Sequence, residues 1–257
     1  DFEGNIRYFV SYDKNALTEE NLDFFPIMMK PVDSQGQRGV RLIHNMKEVM
    51  ESYDEVMSYS KTKGVIFEEY LDGPEVSVNS YIYEGEVKFM LVSDRVSFDE
   101  YPGGIIKEHH LPTKESPLVV EKIRDLVKRV VHKMKINNGP VYFQIKIVNE
   151  VPYMIEVTPR LDGCHMWNVI KEYCGFDLLD TTFKHLLGEK SLDFSFVEKE
   201  GKFKLVFTCE QPNTPFNRDK YVIPDNHCYL RWYYETGDNV RVLNGFMEKG
   251  GYYIEEE

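Results

Sequence analysis

The sequence predicts an α+β fold built from two lobes, and three observations support this. Several short segments alternate apolar and polar residues between turn residues, which is typical of antiparallel strands. Two longer segments repeat apolar residues at the spacing of one buried helix face. The chain has no internal repeat or low-complexity tract. We expect a linker over 1–25, a small lobe over 26–94, and a large lobe with a β-rich C-terminal extension over 95–257.

The elements of the first half follow from local patterns. Asn45 can cap a helix, because its side-chain oxygen can accept a hydrogen bond from a first-turn N–H group. The buried face predicted for that helix is Met46, Val49, Met50, Tyr53, Val56 and Met57. We also predict a short polar helix over 18–24 and strands over 26–31, 40–43, 65–67, 76–83 and 87–94.

The second half begins with a clear helix start. Ser116 is a cap residue, and Pro117 follows at the first helical position, where its missing N–H costs nothing. The face predicted to be buried is Val119, Ile123, Leu126, Val127, Val130 and Met134. Further along the chain we predict strands over 141–148 and 152–158, helices over 166–173 and 178–187, and strands over 204–209, 228–234 and 252–255.

Composition excludes several classes of partner. The 257 residues carry 31 Lys+Arg against 43 Asp+Glu, a net charge of −12, whereas nucleic acid and anionic membranes require a basic surface. No window approaches the roughly 18 consecutive apolar residues of a spanning helix, and residues 1–5 do not begin a signal peptide. We expect a cytoplasmic protein that binds neither nucleic acid nor membrane. Because the chain begins at Asp1, we also expect a fragment.

The cysteines and histidines give no metal-site pattern. The four cysteines stand singly, without a C-x-x-C pair or a paired histidine spacing. They predict reduced core thiols instead of a disulfide framework or a zinc site. His109 and His110 are adjacent on an extended segment and face opposite ways, so we predict one packed and one solvated side chain.

The segment over 141–158 is the strongest candidate for chemistry. If a three-residue loop joins its two strands, Gln144 lies directly opposite Glu156, with Cβ atoms about 4.5–5.5 Å apart. Such a pair can share one hard cation, and Thr158 reaches the same side. Arg160 follows at the strand end, where its charge could stabilise a phosphoryl group. The alternative is a hairpin with one solvated face, and a one-residue slip would pair Gln144 with Ile155.

Two further segments suggest a nucleotide. The glycine-containing loop over 33–39 lies between two strands, so it is not a Walker loop, but its N–H groups could cover phosphates beside Lys30. The connector over 68–71 could offer backbone groups to an adenine edge, and Glu75 could accept ribose hydroxyls. The alternatives are an ordinary hairpin loop and solvated surface carboxylates.

In this fixed order the motifs resemble the ATP-grasp superfamily, most closely its carbamoyl phosphate synthetase large-chain-like and carboxylate:amine ligase members. The resemblance covers residues 6–190. It implies an ATP-grasp fold, in which two α+β lobes enclose the nucleotide. Family members also carry an N-terminal substrate domain, the pre-ATP-grasp domain, and we expect this chain to begin after it.

The resemblance also implies roles for individual residues. ATP-binding residues are Lys30 for phosphate, Ser34, Gln35, Gly36 and Gly39 in the flexible loop, Glu68 for the adenine amino group, Glu69, Tyr70 and Leu71 in the hinge, and Glu75 for ribose. The metal ligands are Gln144 and Glu156, with Thr158 where the family usually has Asn, and the catalytic residues are Arg160 and Glu156. Asp162 and His165 are candidate acceptor contacts. The implied cofactors are ATP and one or two Mg2+ ions, with Mn2+ as a substitute.

The implied reaction is phosphorylation of a carboxylate by ATP to an acyl phosphate, followed by attack of an amine. The partners would then be a small-molecule carboxylate and an amine, and a homo-oligomer is compatible with the resemblance. Two alternatives stay open at this point. The chain could be an ATP-binding module without catalysis, or an ATP-grasp phosphotransferase.

Overall fold

The computed structural model of the protein describes residues 3–34, 36, 38–98, 105–243 and 247–257. The α+β class is confirmed, and every strand pair in these ranges is antiparallel. The strands are β1 (Tyr8–Ser11), β2 (Ile27–Pro31), β3 (Arg41–Ile43), β4 (Val65–Glu69), β5 (Glu75–Tyr83), β6 (Glu86–Ser97), β7 (Ile106–Leu111), β8 (Gly139–Val148), β9 (Val151–Thr158), β10 (Phe203–Glu210), β11 (His227–Trp232) and β12 (Glu248–Glu256). The α-helices are α1 (Met46–Ser58), α2 (Pro117–Lys133), α3 (Met166–Cys174) and α4 (Leu178–Leu186).

The smaller sheet has four strands in the order β1-β4-β2-β3, and α1 packs against it. Asn45 caps α1 as predicted, because its side chain accepts a hydrogen bond from the Glu48 N–H. The buried residues of α1 are Val49, Tyr53 and Val56. Met50 is an exception to the predicted buried face, with 41% of its surface exposed.

The larger sheet has eight strands in the order β11-β12-β10-β7-β6-β5-β8-β9. One face packs against the apolar stripe of α2, which begins at the Ser116 cap as predicted. The other face packs against α3 and α4 around Tyr81 and Phe89. Because side chains alternate along β5, Ser77 and Glu75 continue the same face as Tyr81 towards the start of the strand. The candidate site lies at this polar end of the face.

The segment before β2 differs from the predictions. No helix forms over 18–24; a short 3-10 helix lies at Lys14–Ala16 and turns follow it. The physical reason is burial of Leu17 and Leu22 in the core of the smaller sheet, at a spacing of five that one helix face does not offer. Residues 1–25 are also more than a linker, because they contain β1, which pairs with β4.

The two sheets divide at residues 70–74, whereas the sequence placed the lobe boundary at 94/95. Strands β5 and β6 lie in the larger sheet, since β5 pairs with β8 along eight residues of each strand. The pattern over 76–94 predicts a hairpin correctly, but a hairpin pattern does not reveal which sheet its edge will join. None of the helices in the described ranges is long and apolar enough to cross a membrane.

Candidate active site

The hairpin of β8 and β9 places Gln144 directly opposite Glu156, as predicted. The connection itself differs from the prediction, because only Asn149 and Glu150 join the strands, both in the left-handed region with φ of 50° and 62°. That turn alone would bring Gln144 opposite Ile155. A β-bulge next to Gln144 inserts one extra residue into β9 and restores the pair with Glu156.

Glu75 of the neighbouring strand β5 holds Gln144 in place. Gln144 Nε2 donates a hydrogen bond to Glu75 Oε1 at 2.7 Å, and the Arg95 guanidinium forms an ion pair with the same oxygen. The side chains of Arg95 and Glu75 are only 6% and 15% exposed, so water screens their attraction weakly. With its amide nitrogen bound to Glu75, Gln144 keeps its carbonyl oxygen available for a cation.

Glu156 and Arg160 lie at the exposed end of the hairpin. Thr158 Oγ1 donates a hydrogen bond to Glu156 Oε1 at 2.9 Å and so orients this carboxylate. The Arg160 guanidinium donates to the Leu161 carbonyl oxygen at 2.8 Å and lies 5.9 Å from the centre of the Tyr142 ring. Burial raises the pKa of Tyr142 to about 12, so its phenol is neutral at pH 7.

Lys30 and Glu68 form an ion pair on the smaller sheet. The antiparallel register of β2 and β4 pairs Met28 with Glu68, and Lys30 follows two residues later on the same face. Both charged side chains are partly buried, with exposures of 24% and 17%. The structure thus brings together two residues that the resemblance assigns to opposite ends of a nucleotide.

The connector after β4 is fastened by backbone hydrogen bonds. The Glu69 N–H donates to the Arg7 carbonyl oxygen at 2.9 Å, and the Tyr70 N–H donates to the Pro26 carbonyl oxygen at 3.0 Å. Within the described ranges, the backbone N–H and C=O of Leu71 have no hydrogen-bond partner. Its assignment to the nucleotide hinge stays a prediction.

Lys146 of β8 contacts the segment between β4 and β5 and so joins it to the larger sheet. Its ammonium donates to the Gly73 carbonyl oxygen at 3.3 Å and lies 5.8 Å from the centre of the Tyr70 ring. Burial lowers the pKa of Lys146, and Asp72 opposes that shift. Because Lys146 is paired with Glu75 in the β5–β8 register, it belongs to the same polar face as Gln144.

The glycine-containing loop joins β2 to β3, as predicted. Ser34, Gly36 and Gly39 lie on it, whereas Gln35 lies outside the described residues. The loop begins at Asp33, whose carboxylate accepts hydrogen bonds from two backbone N–H groups at 3.1 and 3.0 Å. Gly39 has φ of 76°, and a Cβ there would lie 2.8 Å from the Tyr59 ring, so this turn requires glycine.

Asp162 and His165 point towards the protein interior. Asp162 Oδ1 accepts a hydrogen bond from the Cys164 N–H, and its other carboxylate oxygen is buried. His165 Nε2 lies 2.7 Å from the Tyr233 hydroxyl, and its ring stacks on Tyr252 with 4.6 Å between ring centres. Burial lowers the pKa of His165, with Lys249 and Arg231 acting in the same direction. Their assignment as acceptor contacts stays a prediction.

The predicted residues thus form two groups. Gln144, Glu156, Thr158 and Glu75 are joined by hydrogen bonds or strand pairing on the larger sheet. Lys30 and Glu68 form the second group on the smaller sheet.

Sequence reasoning missed Arg95. Residues Glu84 and Gly85 form the turn between β5 and β6, and a bulge next to Tyr81 then shifts the register so that Val76 pairs with Asp94. The next residues, Glu75 and Arg95, form the ion pair. A Glu and an Arg at the two open ends of a predicted hairpin are the sequence signal that could have identified this pair.

Comparisons with known proteins find related sequences and similar structures. A family model described as an ATP-grasp domain matches residues 23–167. A D-alanine–D-alanine ligase from Flavobacterium johnsoniae is 28% identical over 139 residues, which are 51% of this chain and 42% of the relative. A carbamoyl phosphate synthase large chain from Methanosphaerula palustris is 23% identical over 208 residues, which are 80% of this chain and 19% of the relative.

A solved structure resembles nearly the whole chain. The crystal structure of an L-amino acid ligase from Bacillus licheniformis superposes with a TM-score of 0.78 at 16% identity, covering 98% of this chain and 62% of the ligase. The chain spans less than half of each of the two sequence relatives. Because the superposition covers 98% of this chain, the fold similarity extends beyond residues 23–167, which the family model matches, into the C-terminal strands.

Proposed function

The chain belongs to the ATP-grasp domain family, and we propose that it is the ATP-binding and catalytic part of a ligase that joins a small-molecule carboxylate to an amine. The relatives named above include ligases, and the predicted motifs occur in the order typical of the family. The observation that carries the proposal is the Gln144–Glu156 pair, with the Arg160 guanidinium over the ring of Tyr142, two residues before Gln144 on β8. This end of the sheet combines two oxygen donors with a permanent cation.

The donor set fits Mg2+. Glu156 is exposed and its carboxylate is oriented by Thr158, while Gln144 presents a carbonyl oxygen because Glu75 binds its nitrogen. One carboxylate, one amide oxygen and the phosphates of ATP are the oxygen ligands that Mg2+ prefers. When bound there, the ion would neutralise charge on the phosphates. Thr158 offers a hydroxyl where the family usually has the amide oxygen of Asn, and a hydroxyl is the weaker cation ligand, so the residues favour one tightly held ion over two.

The chain's cations would bind the phosphates. Arg160 has an exposed guanidinium, which can make two parallel hydrogen bonds to phosphate oxygens. Lys30 would reach the phosphates after exchanging its partner Glu68 for ATP. The loop containing Ser34, Gly36 and Gly39 would cover them with backbone N–H groups. ATP binding would therefore separate the Lys30–Glu68 pair.

The nucleoside would lie against the connector. Leu71 offers its backbone groups to the adenine edge, and Glu68, once released from Lys30, would accept a hydrogen bond from the adenine amino group. Both bonds to Glu75 end on Oε1, so Oε2 is the oxygen that remains for a ribose hydroxyl. Gln35 stays in the proposal as part of the loop.

The reaction follows from these positions. A carboxylate oxygen of the first substrate attacks the terminal phosphorus of ATP, the bond to ADP breaks, and an acyl phosphate forms. The amine then attacks the acyl carbon, phosphate leaves, and the nitrogen loses a proton. Arg160 would stabilise negative charge on the phosphoryl group in both steps.

The first experiment tests the nucleotide site. At a hundredfold excess over Kd, Mg-ATP should stabilise the chain by about 2.7 kcal/mol, which raises the Tm by roughly 5–10 °C at this size. Glu156→Gln should remove most of the shift, whereas Glu150→Gln at the tip of the same hairpin should keep it. An equal shift in both variants would contradict the proposed metal-ligand role of Glu156.

The second experiment tests catalysis. The full-length protein is supplied with Mg-ATP and panels of amino acids and small carboxylates, and phosphate release is measured. The proposal expects release that requires both a carboxylate and an amine and that Arg160→Ala abolishes. ATP binding without any release would identify a module without catalysis, and a phosphorylated final product would identify a phosphotransferase.

A further inference from the structure

Three potential metal ligands converge in the interior, outside the proposed ATP site. His109 lies on β7, and Asp162 and Cys164 lie on the segment between β9 and α3. One donor atom of each, namely an imidazole nitrogen, a carboxylate oxygen and a sulfur, lies within 4.8 Å of the other two. The segment carrying two of these residues begins directly after Arg160.

The polar atoms of this cluster lack partners. Only 1% of the His109 surface is exposed, and neither of its ring nitrogens has a hydrogen-bond partner among the described residues. Asp162 Oδ2 is likewise buried without one. An unpaired buried polar group destabilises the folded state. Three such atoms lying side by side therefore indicate a ligand between them.

The size of the cluster restricts that ligand. Donor atoms within 4.8 Å of one another leave room for one atom between them and not for an organic substrate. A tetrahedral zinc ion has ligands at about 2.0–2.3 Å, which sets the donors roughly 3.5 Å apart. Side-chain rotations that move the donor atoms by about 1 Å would bring all three to that geometry.

We propose that His109, Asp162 and Cys164 form a binding site for a single transition-metal ion of the Zn2+ type, with water in the fourth position. Nitrogen, oxygen and sulfur donors together select a borderline-soft ion, whereas Mg2+ prefers oxygen alone. The site is therefore chemically distinct from the Gln144–Glu156 pair. It does not depend on the proposed ligase function.

The surrounding charges determine how the ion would bind. Lys249 Nζ donates a hydrogen bond to Cys164 Sγ at 3.4 Å and lies 3.5 Å from the centre of the Phe207 ring. Without a metal, burial raises the pKa of Cys164 to about 11 and also raises the pKa of Asp162. A bound ion favours the thiolate, so binding should release the Cys164 proton. Lys249 can then stay as a hydrogen-bond donor to the thiolate.

The metal would connect two parts of the proposed active site. His109 pairs with Arg95 across β6 and β7, and Arg95 forms the ion pair with Glu75. Asp162 and Cys164 are on the segment that starts at Arg160. An ion bound by all three would hold that segment against the larger sheet and so limit the positions of the Arg160 guanidinium.

The test uses the full chain, freed of metal with a chelator and titrated with Co2+. We expect one ion per chain, a thiolate-to-cobalt charge-transfer band in the near ultraviolet, and visible bands of tetrahedral intensity. Zn2+ should displace the Co2+ and raise the Tm without ATP. No sulfur charge-transfer band, or an unchanged Tm with Zn2+, would overturn the proposal.

Variants assign the ligands. Cys164→Ser should remove the charge-transfer band, and Asp162→Asn should weaken Zn2+ binding at least tenfold. Cys174→Ser is the matched control, because Cys174 is also buried but donates to the Ile170 carbonyl oxygen away from the cluster. A band that survives Cys164→Ser and disappears in Cys174→Ser would contradict the assignment. If Cys164→Ser does not fold, the titration of the unaltered chain still decides whether a thiolate binds the ion.

Discussion

At the scale of single residues, Glu75 holds Arg95 and Gln144 in place on the polar face of the larger sheet. Its Oε1 accepts hydrogen bonds from Arg95 and Gln144. The charged side chains of Glu75 and Arg95 are both largely buried. Removing one charge of a buried pair costs more than the pair contributes, because the other charge keeps its desolvation penalty.

We therefore expect Glu75→Gln to lower the free energy of unfolding by about 3 kcal/mol, measured by urea denaturation. Mg-ATP should also bind more weakly, since a neutral carboxamide accepts a weaker hydrogen bond from Gln144 than the Glu75 carboxylate does. Glu69→Gln, which changes an exposed carboxylate at the end of β4, is the control and should change stability little. A stable Glu75→Gln variant would show that water screens this pair.

Thr158 gives a second prediction at this scale. Because its hydroxyl donates to the Glu156 carboxylate, Thr158→Val should weaken Mg-ATP binding about tenfold, a value typical of one hydrogen bond to a charged group. Thr158→Ser keeps the hydroxyl and should bind nearly as well as the unaltered chain. Isothermal titration with Mg-ATP measures both, and equal weakening in the two variants would contradict the orienting role.

At the scale of elements, two β-bulges set the geometry of the site. One shifts β9 against β8 so that Gln144 meets Glu156, and the other shifts β6 against β5 so that Arg95 meets Glu75. Each bulge changes the facing of every residue beyond it, because side chains alternate along a strand. Two inserted residues therefore decide which side chains meet at the candidate site, although neither inserted residue is itself a candidate site residue.

The turn of the β8–β9 hairpin can be improved. Asn149 and Glu150 both have positive φ, and Glu is poorly suited to that region whereas Asn-Gly is favoured there. Glu150→Gly should therefore raise the free energy of unfolding by about 0.5–1 kcal/mol. Glu150→Ala retains the strain and serves as the control in the same thermal or urea unfolding series, where an equal gain would contradict this reasoning.

The start of α4 predicts a pH dependence. Asp177 accepts a hydrogen bond from the Asp180 N–H at 2.9 Å and forms an ion pair with Lys171 at 2.6 Å. Burial raises the pKa of Asp177, but the bonds from Lys171 and Asp180 outweigh it and hold the pKa below its ordinary value. The stabilisation is thus complete above the unfolded pKa and is lost as the pH falls through the lower, folded pKa.

Asp177→Ala should accordingly cost about 1 kcal/mol at pH 7, and the difference from the unaltered chain should shrink below about pH 4. Urea denaturation at several pH values measures this difference. Asp177→Asn keeps the cap without the charge, so it separates the two contributions. A difference that stays constant down to pH 3 would exclude the charge as its source.

At the scale of the whole molecule, Gly73 determines how the chain passes from one sheet to the other. A Cβ at this position would lie 2.0 Å from the Ile147 carbonyl oxygen in β8. The carbonyl is backbone, so it can move only if the strand moves. The Ile147 N–H also donates to the Pro74 carbonyl oxygen at 2.9 Å, which fixes this close approach.

Gly73→Ala should therefore destabilise the chain by about 2–3 kcal/mol in urea denaturation. It should also reduce the Tm shift with Mg-ATP, because the proposed nucleotide contacts lie on both sheets. Gly163→Ala is the control for stability, since a Cβ there meets no atom within 4 Å. Equal stability of the two variants would show that β8 can move at no cost.

Short sequence patterns predict much of the local structure, with the segment over 18–24 as an exception. Asn45 and Ser116 cap α1 and α2 where their side chains indicate it, and alternation identified the strands that carry the candidate site. The α+β class and the family membership were also readable, because motif order and element order are properties of the chain. The roles assigned to single residues stay predictions.

Other features arise only from contacts between distant parts of the chain. Assignment of β5 and β6 to the larger sheet, the two bulges and the convergence of His109 with Cys164 all depend on residues far apart in the chain. The predicted Gln144–Glu156 pair was correct only because a bulge compensated for a shorter turn. Local patterns specify which face a residue takes within its strand, but the register between strands is set by packing and long-range pairing, which no short window contains.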